Sequence, residues 1–167
     1  MSLTAPRPSR KGLFRTRRVI RSSQVVNASV PDALRALHDP PTMIKLNPLV
    51  IAHQQDDLDP SLWSITDHLN FMCIHTTTVF TAKFTLAEDG CITETRAAAG
   101  VYLQNRWRVS IGPSGKCEIS EEVTLDTSIF LAGFVTKEIR KSHAELLAAL
   151  ATHLERRRRD TKDSALL

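Results

Sequence analysis

The sequence lacks the features that mark several classes of protein. No run approaches the roughly 20 consecutive apolar residues that a membrane-spanning helix needs, and the N-terminus has no apolar core of the kind found in secretory signals. Six glycines and eight prolines are ordinary numbers for 167 residues, which excludes collagen-like and low-complexity chains. With 42% hydrophobic and 24% charged residues, we expect one globular, non-secreted, cytoplasmic domain.

Motifs for metals, nucleotides and common nucleophiles are missing as well. The three cysteines, Cys73, Cys91 and Cys117, form no C-x-x-C pair, and the six histidines show no H-x-x-x-H or H-E-x-x-H spacing. The chain contains no G-x-S-x-G elbow, no G-x-G-x-x-G fingerprint and no glycine-rich phosphate loop. The sequence therefore predicts free thiols in a reducing compartment, no metal and no cofactor.

Positive charge is concentrated at the two ends of the chain. The formal net charge is +4, yet residues 22–155 contain 10 basic and 16 acidic side chains. Such an acidic body repels phosphate, which argues against specific binding of nucleic acid. The basic ends could touch an anionic membrane surface weakly, although solvated tails are the simpler interpretation. Residues 1–21 also resemble a mitochondrial presequence, but cleavage there would damage a strand predicted at 18–27.

Turn residues divide most of the chain into strand-like segments. The strand at 18–27 is followed by a helix that Ser29 and Asp32 start and that should end before Pro40. A second short helix is predicted at 42–46. Six further strands are predicted at 49–55, 61–69, 74–87, 91–99, 101–111 and 117–125.

The last predicted element is a long helix that begins near Thr127 or Ser128. Its apolar face follows three- and four-residue steps and consists of Leu131, Val135, Ile139, His143, Leu146, Leu147, Leu150 and Leu154. A sheet of hairpin-linked strands must bury one face, and this helix offers the only large apolar surface. The sequence therefore predicts an α+β fold in which a curved, seven-stranded antiparallel sheet wraps around the C-terminal helix, with two short helices after strand 1.

This order of elements resembles the START-like superfamily, or helix-grip fold, which includes the birch-pollen allergen and polyketide cyclases. Four segments are also similar to an uncharacterised family of fungal proteins within it: HDPPTMIKLNPLV at 38–50, WSITDHL at 63–69, TVFTAKF at 78–84 and FVTKEIRKSHAELLAAL at 134–150. The resemblance covers residues 18–157, which we expect to form a ligand-binding domain between a basic flexible tail (1–17) and a charged C-terminal tail (158–167). It implies a cavity for a hydrophobic small molecule between sheet and helix. We expect a monomer or weak dimer.

Polar side chains interrupt four otherwise apolar surfaces of the implied cavity. Strand parity places Asp67, Asn105 and Glu121 on the apolar sides of their strands, and His143 falls on the apolar face of the helix. A buried carboxylate needs a partner or a raised pKa, and both are common at functional sites. These four residues are therefore the catalytic candidates. The candidates for ligand contact are Trp63, Phe80, Phe84, Leu103, Trp107 and Ile139.

Purely structural roles are the alternative for each polar candidate. Glu121 could sit at a sheet edge, or it could pair with Arg106 or Arg108 after a bulge that shifts the strand parity. Asn105 could cap a bulge, and a shift of parity would also turn it away from the cavity. His143 could be a core histidine bonded to a backbone carbonyl, and Asp67 could belong to a hairpin end.

Two functions from different classes fit these residues. In the first, a pocket confines a flexible substrate of polyketide or terpenoid type for cofactor-independent cyclisation or isomerisation in secondary metabolism. His143 would move a proton, Glu121 or Asp67 would be its acid–base partner, and Asn105 would donate to a substrate oxygen; a pericyclic closure would need only shape and one donor. In the second, the protein carries a lipid, sterol or other apolar metabolite unchanged. A third, weaker interpretation is a partner-binding module that uses residues 130–135.

Overall fold

Seven antiparallel strands form one curved sheet against a long C-terminal helix. A computed structural model describes residues 14–71, 74–112 and 114–164 of the chain, so Cys73 lies outside the described residues. A 3₁₀ turn at Ala98–Gly100 joins the fifth and sixth strands. The elements are β1 (Arg15–Val26), α1 (Val30–Leu37), α2 (Pro40–Leu46), β2 (Val50–Gln55), β3 (Leu62–Phe71), β4 (Ile74–Ala87), β5 (Gly90–Ala97), β6 (Val101–Ile111), β7 (Cys117–Ser128) and α3 (Ile129–Ser164).

The strands follow one another across the sheet except for the first. The order is β1-β7-β6-β5-β4-β3-β2, so β1 pairs with β7 and forms the edge opposite β2. β6 and β7 pair without a register shift from Tyr102 opposite Asp126 to Ile111 opposite Cys117. Side chains of β7 accordingly alternate between buried and partly exposed positions along the whole strand. The bulge that would exchange the two faces of these strands is therefore absent from β6 and β7, and Arg106 pairs with Asp89 instead of Glu121.

Both short helices begin with proline in the first turn. In α1 the Ser29 hydroxyl accepts a hydrogen bond from the Asp32 backbone N–H at 3.2 Å, as the sequence predicts. α2 begins at Pro40, two residues before the predicted start at Thr42. The first N–H groups of a helix have no partner within the helix, so prolines are tolerated there.

The buried residues form two clusters, and α3 contributes to both. The larger cluster joins α1 and α2 to the second half of α3, where Leu147, Leu150 and Leu154 are buried. The smaller cluster contains Ile139 of the first half of α3 and Val123 of β7. Because dense packing closes the fold around the second half of α3, the space between sheet and helix lies against its first half.

The elements extend past the predicted limits of the domain at both ends. β1 begins at Arg15, whose guanidinium pairs with Asp126 of β7, and α3 continues to Ser164. β5 ends at Ala97 because Ala99 adopts a left-handed conformation with a φ of 55°, which breaks the strand. Within the described residues, no helix is long and apolar enough to span a membrane.

Candidate functional site

A cavity of about 420 Å³ lies between the sheet and the first half of α3. Three residues of α2 and its C-terminal flank, Met43, Ile44 and Asn47, help to line it. Most of the other lining side chains belong to the sheet and to α3, and they include Ile65, Asp67, Thr78, Phe80, Ala82, Phe84, Thr93, Thr95, Val101, Leu103, Asn105, Trp107, Leu131, Phe134, Val135, Glu138, Ile139, Ser142, His143 and Leu146. The cavity is thus a largely apolar chamber with a few polar groups.

His143 is held in the cavity by a buried carboxylate. Its Nδ1 lies 2.7 Å from Glu121 Oε1, and the Glu121 side chain has no exposed surface. The ring also lies parallel to that of Trp107, with centroids 6.4 Å apart and an interplanar angle of 16°. Glu121 is not among the described lining residues, because the imidazole stands between it and the cavity. Bonding at Nδ1 leaves Nε2 as the nitrogen available to a ligand.

Asp67 reaches the cavity from β3. The residue is 8% exposed, and its Oδ1 is buried and accepts no hydrogen bond from a described residue. Burial raises the pKa of the Asp67 carboxyl to about 6, although the charge of the nearby His143 lowers it. The carboxyl can therefore both give and take a proton near neutral pH.

Replacing Asp67 by asparagine is expected to stabilise the protein at neutral and higher pH. The pKa is higher in the folded state than its ordinary value of 3.8, so the folded state binds more protons and the free energy of unfolding falls as the pH rises from about 4 to about 6. Asp67→Asn removes this loss. We therefore expect its free energy of unfolding at pH 8 to be about 1–2 kcal/mol higher than that of the unaltered chain. Urea unfolding between pH 4 and pH 8 measures the difference.

The control is Glu145→Gln, which removes one negative charge from an exposed position of α3. We expect it to change stability little at any of these pH values. A gain for Asp67→Asn that is the same at pH 4 and pH 8 would contradict the assignment of the effect to the buried carboxyl.

Asn105 brings an amide to the same cavity from β6. It is 8% exposed, and its Oδ1 is buried without a hydrogen-bond partner among the described residues. Its neighbours across the strands are Thr93 of β5 and Val123 of β7. The parity that the sequence predicts for Asn105, Leu103 and Trp107 is thus the parity that faces the cavity.

Five of the six residues predicted to contact a ligand line the cavity, and Trp63 does not. Phe80, Phe84, Leu103, Trp107 and Ile139 all face the chamber. Trp63 is buried in the larger core cluster, with the ring of His53 edge-on at 5.7 Å between centroids. The Trp63 side chain thus packs among core side chains and is not one of the described residues that line the chamber.

Glu138 lines the cavity although it lies outside the apolar face predicted for the long helix. Glu138 follows Phe134 by four residues and Val135 by three, and both of these also line the chamber. This spacing is the signal that would have found it, because such residues share a helix face.

The described cysteines offer no nucleophile. Both Cys91 and Cys117 are buried and free. Burial raises the pKa of the Cys91 thiol to about 12 and also raises that of Cys117, so neither forms a thiolate at neutral pH. In the described part of the chain, no three His, Cys, Asp or Glu side chains are grouped to hold a metal ion.

Solved structures with the same fold include aromatase/cyclases and a START protein. The Zhui aromatase/cyclase from Streptomyces sp. R1128 matches with a TM-score of 0.62 at 13% identity, over 85% of this chain and 96% of that one. A START superfamily protein from Mycobacterium smegmatis matches at 0.55 and 16% identity, over 86% and 98%. The di-domain ARO/CYC BexL from the BE-7585A biosynthetic pathway matches at 0.62 and 12% identity over 83% of this chain, which spans half (50%) of its length. The shared feature is the START-like helix-grip fold.

Sequence comparison gives the family. No curated protein matches the chain, and the resemblance to fungal proteins stays a prediction. A family model matches residues 26–156, from the last residue of β1 into α3, and this range contains every described residue that lines the cavity. The chain therefore belongs to the family described as Domain of unknown function (DUF7053).

Proposed function

We propose that the protein binds a hydrophobic small molecule in the cavity between sheet and α3 and converts it as a cofactor-independent cyclase or isomerase. The observation that carries this proposal is the convergence of Asp67, Asn105 and the Glu121-supported His143 on one apolar chamber. An apolar cavity with a few polar groups at fixed positions is the usual form of a small-molecule site.

Confinement supplies the first part of the mechanism. A volume of about 420 Å³ lies in the usual range of small-molecule pockets, and we propose that it holds a folded substrate of polyketide or terpenoid type. Holding the reacting atoms of a flexible chain near each other removes much of the entropic barrier to ring closure. A pericyclic closure would need little more than this shape.

Proton transfer supplies the second part. His143 presents Nε2 to the substrate as a base or acid, and Glu121 acts as a positioning residue that fixes the ring and its tautomer through Nδ1. The pKa of Asp67, about 6, suits a group that takes a proton in one step and returns it in another. Asn105 donates a hydrogen bond to a substrate carbonyl and stabilises charge that develops on its oxygen.

The fold comparison supports a reaction of this class. Two of the matched structures carry aromatase/cyclase names, and one of these comes from a named biosynthetic pathway. We therefore propose a role in secondary-metabolite biosynthesis. A protein that carries its ligand unchanged is the competing function, because the same chamber would serve a lipid or sterol.

Native mass spectrometry of the purified protein, with extraction of any bound molecule, tests the proposal. We expect a hydrophobic ligand, and we expect the purified protein to convert the linear precursor of that ligand into a product of altered connectivity. His143→Ala and Asn105→Leu should each lower the conversion rate by about 10²-fold or more while the protein stays folded. Matched controls are Glu145→Gln and Lys141→Gln on the exposed side of α3.

Two outcomes would contradict the enzymatic proposal. Release of the bound molecule in the same chemical form from every precursor tested would favour the carrier. Unchanged conversion in both His143→Ala and Asn105→Leu would remove the assigned residues from the reaction.

A further inference from the structure

The ionisable side chains among the described lining residues are two carboxyl groups and one imidazole. Asp67 and Glu138 are both lining residues, and the carboxylate of Glu121 lies directly behind His143. No lysine or arginine is among the described lining residues. In a chamber of low polarity this arrangement favours a cation and disfavours an anion.

Basic side chains near the sheet are engaged elsewhere. Arg106 pairs with Asp89 on the other face of β6, and Arg15 pairs with Asp126 at the edge of the sheet. On α3, Lys137 and Lys141 flank Glu138 in sequence but are exposed to solvent. The protein therefore places no fixed cation inside the chamber, among the residues that the structure describes, to compensate the Asp67 carboxylate.

Two lining residues have a buried hydrogen-bond acceptor without a partner among the described residues. Asp67 and Asn105 are each 8% exposed, and each has a buried side-chain oxygen that accepts no hydrogen bond within the described chain. A buried acceptor without a donor is costly, so a ligand that donates to it gains affinity that a ligand without donors does not. For a carboxylate, the best donor is a charged N–H group.

We infer that the cavity selects a hydrophobic ligand that carries a basic nitrogen, with its ammonium group bound by Asp67 and attracted by Glu138. This inference rests on the proposed function, because it assumes that the chamber binds a small molecule. It narrows the substrate class to amine-bearing compounds. It also disfavours compounds whose cavity-bound part is a carboxylate or a phosphate, since the described lining holds two carboxyl groups and no lysine or arginine, and His143 is its one side chain that can become positively charged.

Three probes with one ring system test this selectivity. They are 2-naphthylmethylamine, 2-naphthylmethanol and 2-naphthoate, which differ at neutral pH chiefly in the charge of one substituent. Binding is followed by isothermal titration calorimetry. We expect the amine to bind about tenfold more tightly than the alcohol, and the carboxylate to bind most weakly.

Two variants assign the preference to named residues. Asp67→Asn should bring the affinity for the amine down to that for the alcohol, and Glu138→Gln should reduce the preference in part. Glu145→Gln makes the same change in net charge on the exposed side of α3 and should leave the ranking of the three probes unchanged. An equal loss of amine affinity in Glu145→Gln would overturn the assignment to the cavity.

The failure of this inference is distinguishable from the failure of the proposed function. Equal affinity for the three probes, or tightest binding of the carboxylate, would overturn the selectivity and leave a ligand cavity in place. If none of the probes binds to the folded protein, both the selectivity and the ligand-binding role of the chamber fail.

Discussion

Replacing His143 by leucine is expected to cost about 3 kcal/mol of folding free energy, because it leaves a buried carboxylate without its partner. The Glu121 side chain has no exposed surface, and its other hydrogen bond among the described residues comes from the Ser22 hydroxyl at 3.4 Å. Within the described part of the chain, no lysine or arginine pairs with Glu121. Urea-induced unfolding, followed by circular dichroism, measures the loss.

The double variant His143→Leu/Glu121→Leu distinguishes a coupled pair from two independent core residues. Apolar side chains of similar volume can replace a buried polar pair at little cost, so the double variant should regain about 2 kcal/mol relative to the sum of the single losses. Losses that simply add would show that the hydrogen bond at 2.7 Å contributes no coupling.

The control for this experiment is an exposed ion pair between β1 and β7, the strand that carries Glu121. Arg21 and Glu122 are also 2.7 Å apart, but their side chains are 73% and 40% exposed. We expect Arg21→Leu to change stability by less than about 1 kcal/mol, since water screens exposed ion pairs. The contrast between the two pairs isolates the effect of burial at equal distance.

Gly90→Ala is expected to destabilise the fold by about 3 kcal/mol or more. A Cβ on Gly90 would lie 2.1 Å from the carbonyl oxygen of Trp107 and 2.8 Å from its carbonyl carbon. Both are backbone atoms of β6, so no side-chain rotation can relieve the overlap. β5 and β6 would have to separate beside the residue whose indole lines the cavity and stacks on His143.

Gly133→Ala is the matched control, because it makes the same chemical change in α3. A Cβ at this position meets no atom within 4 Å. Alanine favours a helix over glycine by about 0.5–1 kcal/mol, so this variant should gain stability. Thermal unfolding of the two variants should therefore shift the midpoint in opposite directions. A Gly90→Ala protein as stable as the unaltered chain would contradict the close approach of β5 to β6.

The sequence predicts the helices and strands well where capping or turn residues and hydrophobic periodicity agree. Ser29 and Asp32 define the start of α1, and the alternation in β6 and β7 predicts the buried faces that the sheet presents. These are local properties, because the capping bond spans three residues and strand parity repeats every two. The apolar residues of α3 likewise predict which face of the long helix packs against the sheet.

The sequence is less informative where an element meets different neighbours along its length. Trp63 and Asp67 share one face of β3, yet Trp63 is in the packed core and Asp67 faces the cavity. Nothing in the alternation distinguishes them, since the difference depends on which side chains from other parts of the chain pack against each position. Residue propensities also do not predict the left-handed conformation of Ala99, which ends β5 before the predicted residue.

By itself, then, the sequence determined the α+β class, the order of the elements and the inward parity of Asp67, Asn105 and Glu121, because these follow from short-range spacing. Only the tertiary structure decided that His143 and Glu121 form a pair, that Glu138 lines the cavity, and that Asp67 Oδ1 has no hydrogen-bond partner among the described residues. These facts depend on how α3 lies across the sheet. Contacts between residues far apart in the chain are set by that packing and not by any local pattern.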